Sequence, residues 1–209
     1  MKNIEFRLIC FLLIIFTSCQ DKEKLVHVKV INAVTNEGYS GLQFSIIGQR
    51  EGVFESHYKT EYEGVLNENG EALFDFKMKN SKSYRLFVEV PENNCYYNDL
   101  TYVMKHDSSN MHAYFEFAPC SSLKFEINNV NCQGSSDSMR FRNKMSYSDW
   151  ESWSTDRSGC YAYTSENFFD VPMGWRIYEW EVNRSGVITN FIDSIYLDAG
   201  EYGTFVMEY

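Results

Sequence analysis

The sequence has 209 residues, with 19 Lys+Arg against 29 Asp+Glu, a net charge of −10, 17% aromatic residues and only 3 prolines. The acidic balance excludes the basic footprint of a nucleic-acid binder. The aromatic content, with no low-complexity tract, excludes a disordered chain, and the length suits one domain or two small ones.

Taken in chain order, Met1 to Lys24 reads as an export signal followed by a tether. Lys2 and Arg7 form a short basic region, Leu8 to Phe16 is an apolar run of nine residues, and the small residues Thr17 and Ser18 stand immediately before Cys19. A membrane-spanning helix needs about 20 apolar residues, so this run predicts a cleaved signal over 1–18 and no retained transmembrane anchor. Removing it takes away Lys2, Glu5 and Arg7 and leaves a net charge of −11. The phrase Phe16-Thr17-Ser18-Cys19 resembles the lipobox of bacterial lipoproteins, with Phe16 where that family usually has Leu. The resemblance implies that Cys19 becomes the first residue and carries palmitate-type acyl chains, which makes the membrane a partner through lipid. Each buried methylene contributes about 0.8 kcal/mol, so two or three chains hold a domain firmly. Residues 19–24 form a charged, lipidated tether that resembles the export signal of surface lipoproteins in the Bacteroidota, implying a surface-exposed protein of the outer membrane. The competing reading is an ordinary signal peptide with a chance cysteine.

Beyond the tether, Val26, Val28 and Val30 alternate with more polar neighbours, the period of a half-buried strand. Leu42, Phe44 and Ile46 repeat the pattern after the turn residues Asn36-Glu37-Gly38 and Gly41, and a weaker segment covers Val53 to Tyr62. Asn67-Glu68-Asn69-Gly70 is a turn, because Asn and Gly tolerate positive φ. Further strands are predicted over Ala72–Met78, Tyr84–Val90, Thr101–Met104 and Met111–Phe117. Short strands at this spacing predict a β-sandwich.

The run from Val26 through Asn36-Glu37-Gly38, Gly41-Leu42-Gln43-Phe44 and Asn69-Gly70-Glu71-Ala72 resembles a carboxypeptidase-regulatory or transthyretin-like module over 25–118. Such a module is accessory and implies no catalytic residues.

Pro119-Cys120-Ser121-Ser122 interrupts the alternation, and Leu123, Phe125 and Ile127 begin a second series, which places a domain boundary there and a second sandwich over 121–209. Strands are expected over Met139–Met145, Cys160–Tyr163 and Val187–Leu197, with a long loop over 149–159. Between them Trp175, Ile177, Glu179 and Glu181 share one face, and Arg176, Tyr178, Trp180 and Val182 share the other. Asn183-Arg184-Ser185-Gly186 signals a hairpin, and Phe205, Met207 and Tyr209 alternate at the end of the sequence. The expected fold is therefore all-β, two tandem Ig-like or transthyretin-like β-sandwich domains behind a lipoprotein signal.

With Cys10 in the signal and Cys19 lipidated, Cys95, Cys120, Cys132 and Cys160 remain, an even number that predicts two disulfides in an exported protein. Cys120 and Cys132 flank a predicted strand and stand over about 20 Å apart, too far to bridge. Alternating strand direction favours Cys95–Cys120 within the first sandwich and Cys132–Cys160 within the second. The rival, Cys95–Cys132 with Cys120–Cys160, would clamp the two together. No zinc-type spacing accompanies these cysteines, so no metal and no cofactor is expected.

Nor is a catalytic constellation legible. There is no GxSxG, HExxH or phosphate loop. Among His27, His57, His106 and His112, the pair His106 and His112 reads as part of a polar hairpin, and Glu61, Glu63, Asp193 and Asp198 read as solvated acidic surface. The one cluster with binding chemistry is Tyr147, Trp150 and Trp153 beside Asp149, Glu151 and Arg157, because aromatic planes rimmed by carboxylates stack on sugar rings and bond their hydroxyls. The competing reading puts these tryptophans in the second core. The leading expectation is a non-enzymatic, lipid-anchored accessory or binding module at the outer membrane, with a glycan or envelope protein as partner. Its alternatives are a glycan-binding surface protein using the 147–153 loop and a fimbria-like filament subunit or anchor.

Overall fold

A computed structural model describes residues 22–52, 55–108 and 110–209. The expected signal over 1–18, Cys19 and residues 20 and 21 lie outside the described residues. Those described form strands and no helix, and the chain is all-β. They divide into two compact units, one of residues 22–30, 38–89 and 99–115 and one of residues 31–37, 90–98 and 116–209. Residues 31–37 and 90–98, expected in the first sandwich, thus cluster with the second.

The first unit is built from β1 (Lys22–Asn32), β2 (Gln43–Glu51), β3 (Ser56–Val65), β4 (Glu71–Met78), β5 (Ser83–Val88), β7 (Thr101–Met104) and the start of β8 (Asn110–Asn128), with β6 (Asn94–Tyr97) falling in the second unit. One layer orders β4-β1-β8 and the other β3-β2-β5-β7. The predicted alternation is realised: Val26, Val28 and Val30 are fully buried, and Ile46, Leu86 and Met78 meet the same core. Tyr62 stacks on Phe74 with ring centroids 4.3 Å apart and planes at 6°. The two turns carrying the family resemblance come together, since Gly70 accepts a bond from Val30 N, which in turn has its carbonyl bonded by Tyr39 N. A Cβ on Gly38 would stand 2.0 Å from the Asn69 carbonyl oxygen, so only glycine fits.

The tether is shorter than expected. β1 begins at Lys22, and Lys24, 4% exposed, donates its Nζ to the carbonyls of His106 (3.0 Å) and Ser108. An ammonium on a sheet face is tolerated when backbone carbonyls surround it, so residues 22–24 belong to the strand.

The second unit packs the later part of β8, joined by β6, β11 (Tyr163–Thr164), β12 (Phe169–Pro172) and β15 (Tyr202–Glu208), against a sheet ordered β10-β9-β13-β14: β10 (Arg157–Ser158), β9 (Ser138–Met145), β13 (Gly174–Arg184) and β14 (Val187–Leu197). Its core holds Leu123, Phe125 and Ile127 against Tyr178, Trp180, Val182, Phe205 and Met207, with Tyr178 stacked on Phe205 at 4.2 Å.

Two expectations about this region need correction. β8 does not stop at Pro119: it runs 19 residues, through the expected boundary. Proline lacks an N–H, but the Pro119 carbonyl accepts from Met173 N at 2.8 Å, and Cys120 N donates to Asn93 O at 2.7 Å beside a register shift in β6. The strand expected over Cys160–Tyr163 shrinks to β11, Tyr163–Thr164. Both disulfides form as favoured, Cys95–Cys120 with Cα atoms 4.9 Å apart and Cys132–Cys160 at 5.2 Å. Because β6 pairs with the part of β8 beyond Glu116, the Cys95–Cys120 bridge lies in the second unit and not in the first.

Candidate functional site

The loop after β9 folds back along that strand. Ser148 N closes a turn on the Met145 carbonyl, then Glu151 N bonds Asn143 O (2.9 Å) and Ser154 N bonds Phe141 O (2.8 Å), after which β10 pairs Arg157 with Met139. The loop thereby covers the edge of β9 and lays its side chains on that strand's outer face.

That face presents Arg140, Arg142 and Lys144 at alternate positions. The two loop tryptophans cover them. The Arg142 guanidinium carbon lies 4.8 Å from the Trp150 ring and 4.6 Å from the Trp153 ring, Arg140 is 4.9 Å from Trp153, and Lys144 Nζ is 4.9 Å from Trp150. Cation–π attraction and the register Arg142↔Glu179 and Arg140↔Glu181, both ion-paired, hold this ladder flat. Trp150 and Trp153 are half-buried on the outer surface and do not fill the core, which uses Trp180 instead.

Tyr147 does not join them. Its hydroxyl donates to the Met173 carbonyl at 3.2 Å, its ring meets Tyr96 at 4.6 Å, and burial pushes its ionisation well above the ordinary phenol value. The expected three-residue aromatic platform is therefore split, two members on the outer face of β9 and one under the turn.

The other residues weighed in the sequence go to separate places. His106 Nε2 lies 2.7 Å from the Lys82 carbonyl, whereas His112 meets the His27 ring edge-on at 5.7 Å, so the hairpin histidines face different neighbours. Glu61 is the extra residue at a register shift opposite Ile46 and Ile47 and pairs with Lys82, which holds its carboxyl below the usual range. Glu63 keeps its ladder position opposite Ser45, and Asp193 caps Ser194 N at 2.7 Å. Asp198 is exposed, with its carbonyl accepting from Ser121 Oγ.

Two features were not singled out from the sequence. First, β14 pairs with β13 along all 11 of its residues, and among the described residues no strand pairs with its other edge. Its outward residues include Ile188 and Ile192, 57% and 66% exposed, and Asp193 is its one charged residue. Second, a cleft of about 250 Å3 opens between the sheets of the second unit, lined by Phe125, Phe141, Tyr163, Phe169, Asn143, Tyr178 and Arg176. The signal for the first was the run VITNFIDSIYL, free of Lys, Pro and Gly; the signal for the second was Arg176 on the face of β13 shared with Tyr178 and Trp180.

No family model and no curated protein matches the chain. Solved structures that resemble it include the Bacillus anthracis TIE protein (14% identity, TM-score 0.37, covering 89% of this chain and 34% of that one). A shaft pilin from Lactobacillus rhamnosus GG gives 10% identity and TM-score 0.34 over 90% of this chain and 98% of the other. A streptococcal ancillary pilin gives 12% and 0.33 over 88% and 62%. The chain spans about a third of the first of these structures.

Proposed function

We propose that the protein is a lipid-anchored, non-enzymatic component of the cell envelope that works by assembly, as a fimbria-like subunit or anchor exposed at the outer membrane. The observation that carries this reading is the edge of β14. Along this strand of 11 residues no strand, among the described residues, pairs with the outer edge, and Asp193 Oδ1 holds Ser194 N. Natural sheets blunt such edges with lysine, proline, bulges or a covering loop, and this sheet does so at its opposite side, where the 149–156 loop covers β9. One edge is covered and the other is left bare, with Ile188 and Ile192 flanking it. That is the geometry of strand addition, in which main-chain bonds supply affinity and alternate side chains supply selectivity. The resemblance of Phe16-Thr17-Ser18-Cys19 to a lipobox supports the anchor, and the oxidised pairs Cys95–Cys120 and Cys132–Cys160 support an exported location.

The test is photo-crosslinking in intact cells, with a benzophenone amino acid placed at Ile192 or, as control, at the exposed loop residue Val130. Covalent adducts of higher mass are expected from position 192 alone, and Ile192→Lys, scored from a crosslinker at Ile188, should abolish them. Monomer only, or equal adducts from both positions, would sink the reading. In the same cells Cys19→Ala should move the protein out of the membrane fraction.

A further inference from the structure

The cleft between the sheets of the second unit contains a charge that its surroundings do not balance. Arg176 sits on β13 at an inward position, opposite Met145 on one side and Ile195 on the other, and in step with the core residues Tyr178 and Trp180. Its Nη1 donates to Asn143 Oδ1 at 2.9 Å, its Nη2 lies 3.9 Å from the Met145 sulfur, the guanidinium also hydrogen-bonds the neutral Tyr178 hydroxyl, and its Nε is buried without an acceptor. Among the described residues no carboxylate lies within ion-pair distance of it, whereas Arg140, Arg142 and Arg184 each have one. A guanidinium turned toward an apolar interior is costly unless a counter-charge reaches it.

The walls around this cation are aromatic. Phe125, Phe141 and Tyr178 form the floor, and Tyr163 and Phe169 stand at the mouth, 45% and 44% exposed. Glu151 accepts from Asn143 Nδ2 at 2.7 Å, which fixes the amide so that its oxygen turns to Arg176. The cleft offers one cation, one oriented amide, the hydroxyls of Tyr163 and Tyr178, and otherwise ring faces. Its volume of about 250 Å3 holds roughly eight to ten non-hydrogen atoms.

We infer that this cleft binds a small carboxylate carried on a flat apolar ring, with the carboxylate on Arg176 and the ring between Tyr163, Phe169 and Phe141. Arginine recognises a carboxylate with strong, oriented hydrogen bonds, and edge or offset stacking suits the ring. A sugar acid fits less well, because most of its hydroxyls would face ring surfaces, with Asn143 and the hydroxyls of Tyr163 and Tyr178 as the uncharged polar side-chain groups in the lining.

The experiment is titration calorimetry and proton–nitrogen NMR on the soluble form of the whole mature chain, Cys19→Ala, with phenylacetate, phenylacetamide and glucuronate as probes. Phenylacetate is expected to bind about tenfold or more tightly than phenylacetamide, with shifts confined to residues of the cleft. Arg176→Met should erase that preference, and Glu151→Gln should strengthen phenylacetate binding severalfold by removing a competing negative charge. If Arg176→Met does not fold, Tyr163→Ala and Phe169→Ala, both at the exposed mouth, are each expected to weaken phenylacetate severalfold. Equal affinity for acid and amide, tighter binding of glucuronate, or no saturable binding of any probe would overturn the inference.

Discussion

Asp137 shows how one side chain holds the start of β9. It is fully buried, its Oδ2 accepts from Gln133 N at 2.9 Å and lies 3.6 Å from Arg184 Nε, and its own carbonyl accepts from Gly159 N at 2.7 Å. Three segments thus meet on one residue. Removing the carboxylate strands a backbone donor and a partly buried guanidinium together. Asp137→Ala is therefore expected to cost about 2–3 kcal/mol in urea unfolding, whereas Asp137→Asn, which keeps an acceptor for Gln133, should cost less. At this scale the sequence was least informative. An aspartate in the polar run 128–137 looks like any turn residue, and its burial follows from long-range partners at Arg184 and Gly159 that no local pattern reveals. The same holds for Tyr147, whose neighbour Tyr96 lies far upstream.

Among the elements, alternation was legible wherever one face was buried and the other wet. The strands at Val26–Val30, Ala72–Met78 and Leu123–Ile127 follow that rule, and the pairing of the four cysteines was legible from alternating strand direction. β6 and β12 were missed although β7, equally short, was legible: β6 reads NCYY, with no apolar alternation, and β12 ends on Pro172, which reads as a breaker. Pro119 misled in the opposite direction, since a proline can sit in a ladder where its missing donor falls beside a register shift. The Cys132–Cys160 bridge closes a loop of 28 residues over the eight-residue β9, the two-residue β10 and the tryptophan loop between them. Loop-closure entropy assigns it about 3–4 kcal/mol, so Cys132→Ser with Cys160→Ser should lower stability by that order. Hydrogen exchange is expected to rise first over 146–164, and unchanged exchange there would count against the bridge as the local clamp.

For the molecule as a whole, buried tyrosines set an alkaline limit. Burial pushes Tyr178 from its ordinary 10 up to about 12, although the Arg176 guanidinium, hydrogen-bonded to its hydroxyl, pulls the other way. Tyr147 is raised further by the same cause. In the unfolded chain both phenols ionise near pH 10, while in the folded chain they stay neutral to higher pH. Their contribution is complete below pH 10 and is lost as pH rises from there through 12. Urea midpoints should hold from pH 8 to 10 and fall steeply above, and Tyr178→Phe should flatten that fall. At the acid end the sign reverses for Glu61, whose carboxyl is held low by Lys82, so its contribution persists above the usual carboxylate range and fades as pH drops below it.

The position of β1 has a mechanical meaning as well. This strand is the first described element, lies between β8 and β4, and is fixed at its outset by Lys24 on the carbonyls of His106 and Ser108. Its antiparallel register with β4 runs from Lys22↔Met78 to Lys29↔Glu71. Tension drawn along the axis of β1, between its start and its far end, therefore loads those rungs in shear, all at once, and does not peel them apart singly. A load applied in that way would be shared by all eight rungs and by the Lys24 ammonium that ties the strand to the carbonyls beyond β7.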